Sequence, residues 1–172
     1  ALVKHLRALM AALPHTRFNN MYGPAETNGC TCYDVPPLNA GDTTIPIGQA
    51  FPNIETLVVD EEDRPIKPDT SGELLVRGAS MMQGYWGRPD LDEAAFFRRQ
   101  IVPGLEQVFY RTGDLVHLRP DGDLVFIGRK DRQVKVRGYR VELDEIEARL
   151  GDIDGLEECA VYFFKDDDGN GR

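Results

Sequence analysis

Leu2, Leu6, Leu9, Met10 and Leu13 recur at the three- and four-residue spacing of one helix face, and Pro14 ends the pattern. The chain is expected to open inside an amphipathic helix. From Asn19 to Gly48 the apolar periodicity fades among Gly, Pro and Asn, which reads as loops around short strands. Irregular stretches of that length are usually functional or disordered. From Ile54 the texture becomes that of β-structure. Ile54 to Val59 is strand-like, Asp60 to Pro65 carries turn residues, and Gly72 to Gly78 encloses the run Glu73-Leu74-Leu75-Val76. Pro89 to Phe97, with Pro in the first turn and acids after it, predicts a short helix. Leu115 to Arg119 and Leu124 to Ile127 flank Pro120-Asp121-Gly122-Asp123, a hairpin pattern in which Pro presets the turn and Gly supplies positive φ. So many short strands suggest a small barrel or twisted sheet.

A boundary is expected near Lys130 and Asp131. Beyond it, Gln133 to Arg137 alternates Val134 and Val136 with Lys135 and Arg137, as a half-buried strand does. Leu143, Ile146 and Leu150 mark a helix face, Ala160 to Phe164 predicts a further strand, and residues 165–172 read as a loop. No internal repeat or low-complexity tract interrupts the pattern.

At 172 residues the chain has the size of one core, or one core with a small appendage. Apolar residues make up 41% and charged residues 28%, the balance of a globular rather than a disordered protein. Twenty Lys and Arg against 29 Asp and Glu leave a formal charge of −9, which argues against a nucleic-acid partner. Any phosphate must then be met by a local site. The three cysteines, Cys30, Cys32 and Cys159, have no disulfide-rich spacing, and no signal peptide precedes them, so a reducing, cytoplasmic compartment is expected. Cys30 and Cys32 have no clustered His and read as buried or lining thiols rather than metal ligands. No apolar run approaches the length of a membrane span, so no membrane partner is expected.

Neither a Walker phosphate loop nor a G-x-G-x-x-G fingerprint occurs. Four other stretches stand out: YGPAE at residues 22–26, with Asn20 and Met21 before it; GELLVRGASMMQGYWGRP at 72–89; YRTGDL at 110–115; and GRKDRQVKVRGYRVELDEIE at 128–147.

In this order they resemble the adenylate-forming superfamily, and most closely the amino-acid adenylation domains of non-ribosomal peptide synthetases. The resemblance runs from about Asn19 to Glu147. It implies an α/β fold: residues 1–129 as the C-terminal part of the large adenylation subdomain, a distorted β-barrel rich in short strands, and residues 130–172 as the hinge and the start of a small α+β subdomain. It implies ATP as the nucleotide, AMP as the product group and Mg²⁺ as cofactor. A substrate carboxylate, that of an amino acid or another acid, becomes an acyl adenylate, and the phosphopantetheine thiol of a peptidyl or acyl carrier protein then takes the acyl group. An acyl- or aryl-CoA ligase and a non-catalytic docking module remain open alternatives.

The same resemblance implies roles residue by residue. Asp114 matches the ribose-binding carboxylate, whose two acceptor oxygens suit paired hydroxyls. Tyr22 matches the ring that packs on adenine, Asn20 would read the adenine edge, Phe126 would lie beside the base, and Gly23 belongs to the nucleotide-binding turn. Glu26 matches the Mg²⁺ ligand and, with Arg129, counts as catalytic; the five-donor fork of Arg129 would contact ribose and phosphate. Met21, Gly29 and Cys30 would line the substrate pocket. Asp131 matches the hinge, and Gly138 the loop glycine of the thiolation path. Where relatives have Thr, this chain has Ala25, which removes a donor to the α-phosphate; Thr27 could substitute if the backbone there were extended. The residues taken alone admit plainer readings: Asp114 as a turn residue after Gly113, Tyr22 and Phe126 as core rings, Arg129 with Asp131 as a surface ion pair. The 172 residues alone are expected not to catalyse adenylation, since no Ser, Thr and Gly-rich phosphate loop lies before Asn19 and Lys165 sits too early to be the lysine that neutralises the reacting charges.

Overall fold

The computed structural model describes residues 2–136, 139–151, 153, 156 and 159–164. They form two compact units, one of residues 2–128 and one from Arg129 onward. The fold is α/β and made mostly of sheet.

The first unit opens with helix α1 (Leu2–Ala12), whose end before Pro14 follows from the ring's clash with a continuing helix. Strands β1 (Phe18–Tyr22), β2 (Thr31–Val35) and β3 (Gln49–Ala50) form an antiparallel sheet in that order, with Tyr22 opposite Thr31. These are the short strands expected within the Gly- and Pro-rich stretch. A second antiparallel sheet holds β4 (Ile54–Val59) and β5 (Thr70–Gly78), then β7 (Leu105–Leu118) and β6 (Phe96–Val102), with β8 (Leu124–Arg129) also paired to β7. Helix α2 (Pro89–Ala95) precedes β6. Val59, Leu74, Leu75, Val76 and Val116 are fully buried, and Cys30, Ile47, Val58 and Leu124 join Leu74, Val76 and Val116 in one core cluster. β5 is buried on both faces: Leu74 and Val76 point into that cluster, while Leu75 on the opposite face packs with Val59 and Phe109 in a second one.

Two local expectations change. The helix predicted to Phe97 ends at Ala95, and Phe96 and Phe97 are already strand, pairing with Tyr110 and Phe109. Both rings gain aromatic contacts there: Phe96 meets Tyr110 edge-on at 6.3 Å and Phe97 lies 6.4 Å from Phe109. The strand predicted from Leu115 starts ten residues earlier, at Leu105, after a tight turn in which Gly104 takes a φ of 84°.

In the second unit β9 (Gln133–Val136) and α3 (Leu143–Gly151) fall where the Val134 and Val136 alternation and the Leu143 and Ile146 face imply, and β10 (Tyr139–Glu142), for which the sequence carries no expectation, pairs antiparallel with β9 and leads into α3. The strand expected at Ala160 to Phe164 is not formed. The backbone there is held by side chains instead: Val161 donates its N–H to Glu147 Oε1 at 2.7 Å, and Arg132 donates to the Val161 carbonyl at 2.5 Å.

Candidate functional site

The first unit brings three of the four stretches together. Tyr22 ends β1 and enters a tight loop, which the Cys30 N–H closes by bonding back to the Tyr22 carbonyl at 2.7 Å. Gly23 is the residue that loop requires, since a Cβ there would sit 1.7 Å from the Asn28 carbonyl oxygen. Asn28 itself takes a φ of 60°, eased by its side chain accepting the Gly29 N–H at 2.8 Å.

The YRTGDL stretch lies in the middle of β7, where the strand carries a bulge. Glu73 opposes Leu115 and Leu75 opposes Arg111, so two steps along β5 face four along β7. Gly113, at a φ of 69°, provides the kink. The bulge is held by Thr112, whose hydroxyl donates to the Leu74 carbonyl at 2.7 Å and accepts the Asp114 N–H at 3.0 Å. Before it, Arg111 donates to Glu73 at 3.2 Å and to Asp63 at 2.5 Å, and lies over the Phe97 ring. Asp114, only 6% exposed, is thereby turned toward β1, where it accepts the hydroxyl proton of Tyr22. Burial, then the charge of Asp114, raises the Tyr22 phenol well above its ordinary value, which keeps it a donor.

Glu26 stands on the same loop as Gly23. Its Oε1 accepts the Tyr85 hydroxyl at 3.0 Å, and its carbonyl accepts the Met82 N–H at 2.7 Å. Among the described residues no group of three or more His, Cys, Asp or Glu side chains gathers as a metal cage. A single half-buried carboxylate does fit Mg²⁺, which takes one or two carboxylates and completes its shell with water and phosphate oxygens.

Other candidates fall as follows. Asn20 donates its amide to the Pro46 carbonyl at 2.7 Å, which fixes its orientation. Phe126, 43% exposed, is two residues beyond buried Leu124 in β8 and so on the same face. Met21 is exposed and reaches the space over Gly29, where an added Cβ would touch Met21 and Phe51 at 3.6 and 3.5 Å. Cys30 is fully buried in the core, its thiol raised by burial and bonded to the Thr27 hydroxyl at 2.8 Å. Ala25 is exposed. The compensation by Thr27 does not hold: its N–H bonds to the Pro24 carbonyl in a turn, the backbone is not extended, and its side chain is 1% exposed inside the loop. In the second unit Arg129 grips Asp131 through Nε at 2.7 Å and through Nη2, and Asp131 also accepts the Gln133 N–H at 3.1 Å. Gly138 lies outside the described residues.

Phe51, Tyr85 and Thr112 are neighbours of the candidate residues that the sequence alone does not single out. Tyr85 and Thr112 lie within the quoted stretches, and both are recognisable only from the partners of their hydroxyls. A cleft of about 650 Å³ lies elsewhere, lined by Arg7, Met10, Leu13, Phe18, Val35 and Pro37, and contains none of the candidate residues. No helix among the described residues is long and apolar enough to cross a membrane.

Residues 1–86 match the family model described as AMP-binding enzyme. The chain is 46% identical over 143 residues to malpinin synthetase of Mortierella alpina, covering 83% of this chain and 2% of that protein. It is 42% identical to bacitracin synthase 3 of Bacillus licheniformis over 151 residues, covering 88% of this chain and 2% of that protein. Among solved structures, PA1221, an NRPS protein containing adenylation and PCP domains, superposes with a TM-score of 0.83 at 33% identity, over 98% of this chain and 34% of that one. The structure of IdnL1 superposes with a TM-score of 0.85 at 36% identity, over 93% of this chain and 33% of that one. The chain thus spans about a third of these solved chains and a far smaller share of the synthetases.

Proposed function

The chain belongs to the AMP-binding enzyme family, and from that premise we propose that it is the nucleotide-facing C-terminal part of an amino-acid adenylation core, followed by the hinge and first residues of the small subdomain. The reaction is ATP-dependent: a substrate carboxylate oxygen attacks the α-phosphorus, pyrophosphate leaves, and the acyl adenylate forms. A phosphopantetheine thiol on a carrier protein then attacks the acyl carbon and releases AMP. The NRPS character of PA1221 and the synthetase names of the relatives support this reading.

The observation that carries it is the bond from the Tyr22 hydroxyl to Asp114, which joins two stretches 92 residues apart. The half-buried Tyr22 ring packs on one side against the core cluster, and its remaining surface would meet adenine beside a carboxylate suited to ribose hydroxyls. Asn20 and Phe126 complete the base environment, and Gly23 lets the loop turn beneath it. Glu26 would hold Mg²⁺, which when bound neutralises phosphate charge. The resemblance assigns the Arg129 guanidinium to ribose and phosphate and Asp131 to the hinge; within their own unit the two side chains grip each other. Met21 and Gly29, with Cys30 behind them, face the acid substrate, and Gly138 serves the thiolation path.

Calorimetric titration with AMP tests the assignment in the full-length protein. Asp114→Ala is expected to weaken binding by about 1.5–3 kcal/mol, the range for hydrogen bonds to charged groups. Unchanged affinity would remove Asp114 from the site.

A further inference from the structure

The stretch GASMMQGYWGRP is long, rich in side chains, and without a part in the chemistry as stated. In the structure it is a strap across the Glu26 turn. Met82 donates its N–H to the Glu26 carbonyl at 2.7 Å, Ser80 donates its hydroxyl to the Thr27 carbonyl at 2.7 Å, and Tyr85 donates its hydroxyl to Glu26 Oε1 at 3.0 Å. Only the third of these touches the carboxylate. Tyr85 is anchored in turn: its N–H bonds to Asp92 Oδ1 at 2.8 Å, and its hydroxyl lies 3.4 Å from that of Tyr110. A carboxylate oxygen only accepts, so the single Tyr85 proton goes to Glu26, and Tyr110 becomes the donor to Tyr85. Tyr110 is 4% exposed and wedged edge-on against Phe96, a fixed end for the relay. A side chain with three free torsions gains a defined carboxylate position only from such a contact, since the backbone bonds fix no more than its Cα.

We propose that Tyr85 is a positioning residue that holds the Glu26 carboxylate ready for the Mg²⁺-nucleotide, with Tyr110 setting the direction of its hydroxyl. The inference rests on the reading of Glu26 as the metal-facing group. Manganous ion, followed by electron paramagnetic resonance in the presence of ATP, reports the site without any turnover. In the full-length protein, Tyr85→Phe is expected to raise the half-saturating Mn²⁺ concentration by roughly 10- to 150-fold, the consequence of losing one hydrogen bond to a charged group. Metal-free AMP binding should stay as it is, and Trp86→Ala, which alters the fully exposed neighbour, should change neither quantity. Tyr85→Phe added to Glu26→Gln should produce no further shift. Tyr110→Phe, which leaves the bond to Glu26 in place, should shift Mn²⁺ in the same direction by less.

If Glu26→Gln weakens Mn²⁺ binding and folded Tyr85→Phe does not, the positioning role is wrong and the reading of Glu26 survives. If Glu26→Gln itself leaves Mn²⁺ binding unchanged, the reading falls and takes the inference with it. Should Tyr85→Phe fail to fold, Tyr110→Phe decides, and an unshifted Mn²⁺ midpoint there overturns the relay.

Discussion

Replacing Thr112 by Val should cost far more than its small change in shape suggests. The two side chains have nearly the same volume, so the substitution opens no cavity and leaves the β-branched backbone preference alone. What disappears is one hydroxyl, 2% exposed with its residue, that donates to the Leu74 carbonyl and accepts the Asp114 N–H. The Leu74 carbonyl on β5 and the Asp114 N–H on β7 lie where the β5–β7 register shifts, outside its paired residues. Each buried group left unsatisfied costs about 1–3 kcal/mol, so a total of about 2–6 kcal/mol is expected. For a unit of this size that lowers the melting temperature by roughly 6–20 °C. Thr112→Ser keeps the hydroxyl and removes a methyl, for about 1 kcal/mol. The comparison is made on the full-length protein, using the unfolding transition that contains this sheet, with hydrogen exchange of the Asp114 amide as the local probe. Exchange should accelerate in Thr112→Val and stay near the parent rate in Thr112→Ser. A valine variant that melts at or above the serine variant, with a protected Asp114 amide, would refute the bridging role of the hydroxyl.

Gly23→Ala should open the loop it starts, because the new methyl would lie 1.7 Å from the Asn28 carbonyl oxygen; a loss of about 1–3 kcal/mol is expected, read as a lower melting temperature and as faster labelling of the buried Cys30 thiol by a thiol reagent. The Glu147 carboxyl is held at about 2, against an ordinary value of 4.5, by its bidentate bonds to Arg132 and by the Val161 N–H. A depressed carboxyl stabilises the folded state above its ordinary value, so the contribution is intact at neutral pH and is lost as the pH falls from about 4.5 to about 2. Carbon-13 NMR of the Glu147 carboxyl should follow that midpoint, and a midpoint near the ordinary value would show that the Arg132 grip is absent in solution.

Most of the fold was legible wherever burial or turn residues mark an element. The β4 strand and α3 follow from apolar spacing, β5 from a short apolar run that is buried on both faces, and the β7–β8 turn from its Pro and Gly. Two places escaped that logic. Along β6, Arg98, Arg99 and Gln100 are exposed, so the strand shows no alternation, and acids after Pro89 favoured a longer helix. Its existence depends on β7, a partner whose own first residues, Leu105 to Gln107, are equally weak in pattern. At 160–164 the opposite happened. Exposure does alternate there, but the backbone groups of Val161 are taken by Arg132 and Glu147, and alternation without a partner strand is no ladder.

The site divides along a different line. The Asp114 carboxylate and the Tyr22 ring could be named from the motifs that carry them, although each alone also reads as a turn residue or a core ring, and the fold brings these two into contact. Hydroxyls could not be read this way, because a Ser, Thr or Tyr hydroxyl serves as donor, acceptor or bystander according to neighbours that lie far off in the chain. Thr27, offered as a substitute for the hydroxyl missing at Ala25, turned inward to Cys30 because the Pro24 turn forbids the extended backbone it needed. Tyr85, 59 residues from Glu26, had no sequence feature that distinguished a donor to that carboxylate from a core ring. Motif stretches therefore name the candidate groups, while the hydroxyls bonded to them become visible only when the sheet bulge and the strap bring distant residues within hydrogen-bond reach. On the proposed reading Thr112 and Tyr85 direct the Asp114 and Glu26 carboxylates, which is why substitutions at those two positions probe the proposed function more sharply than a search for further charged residues.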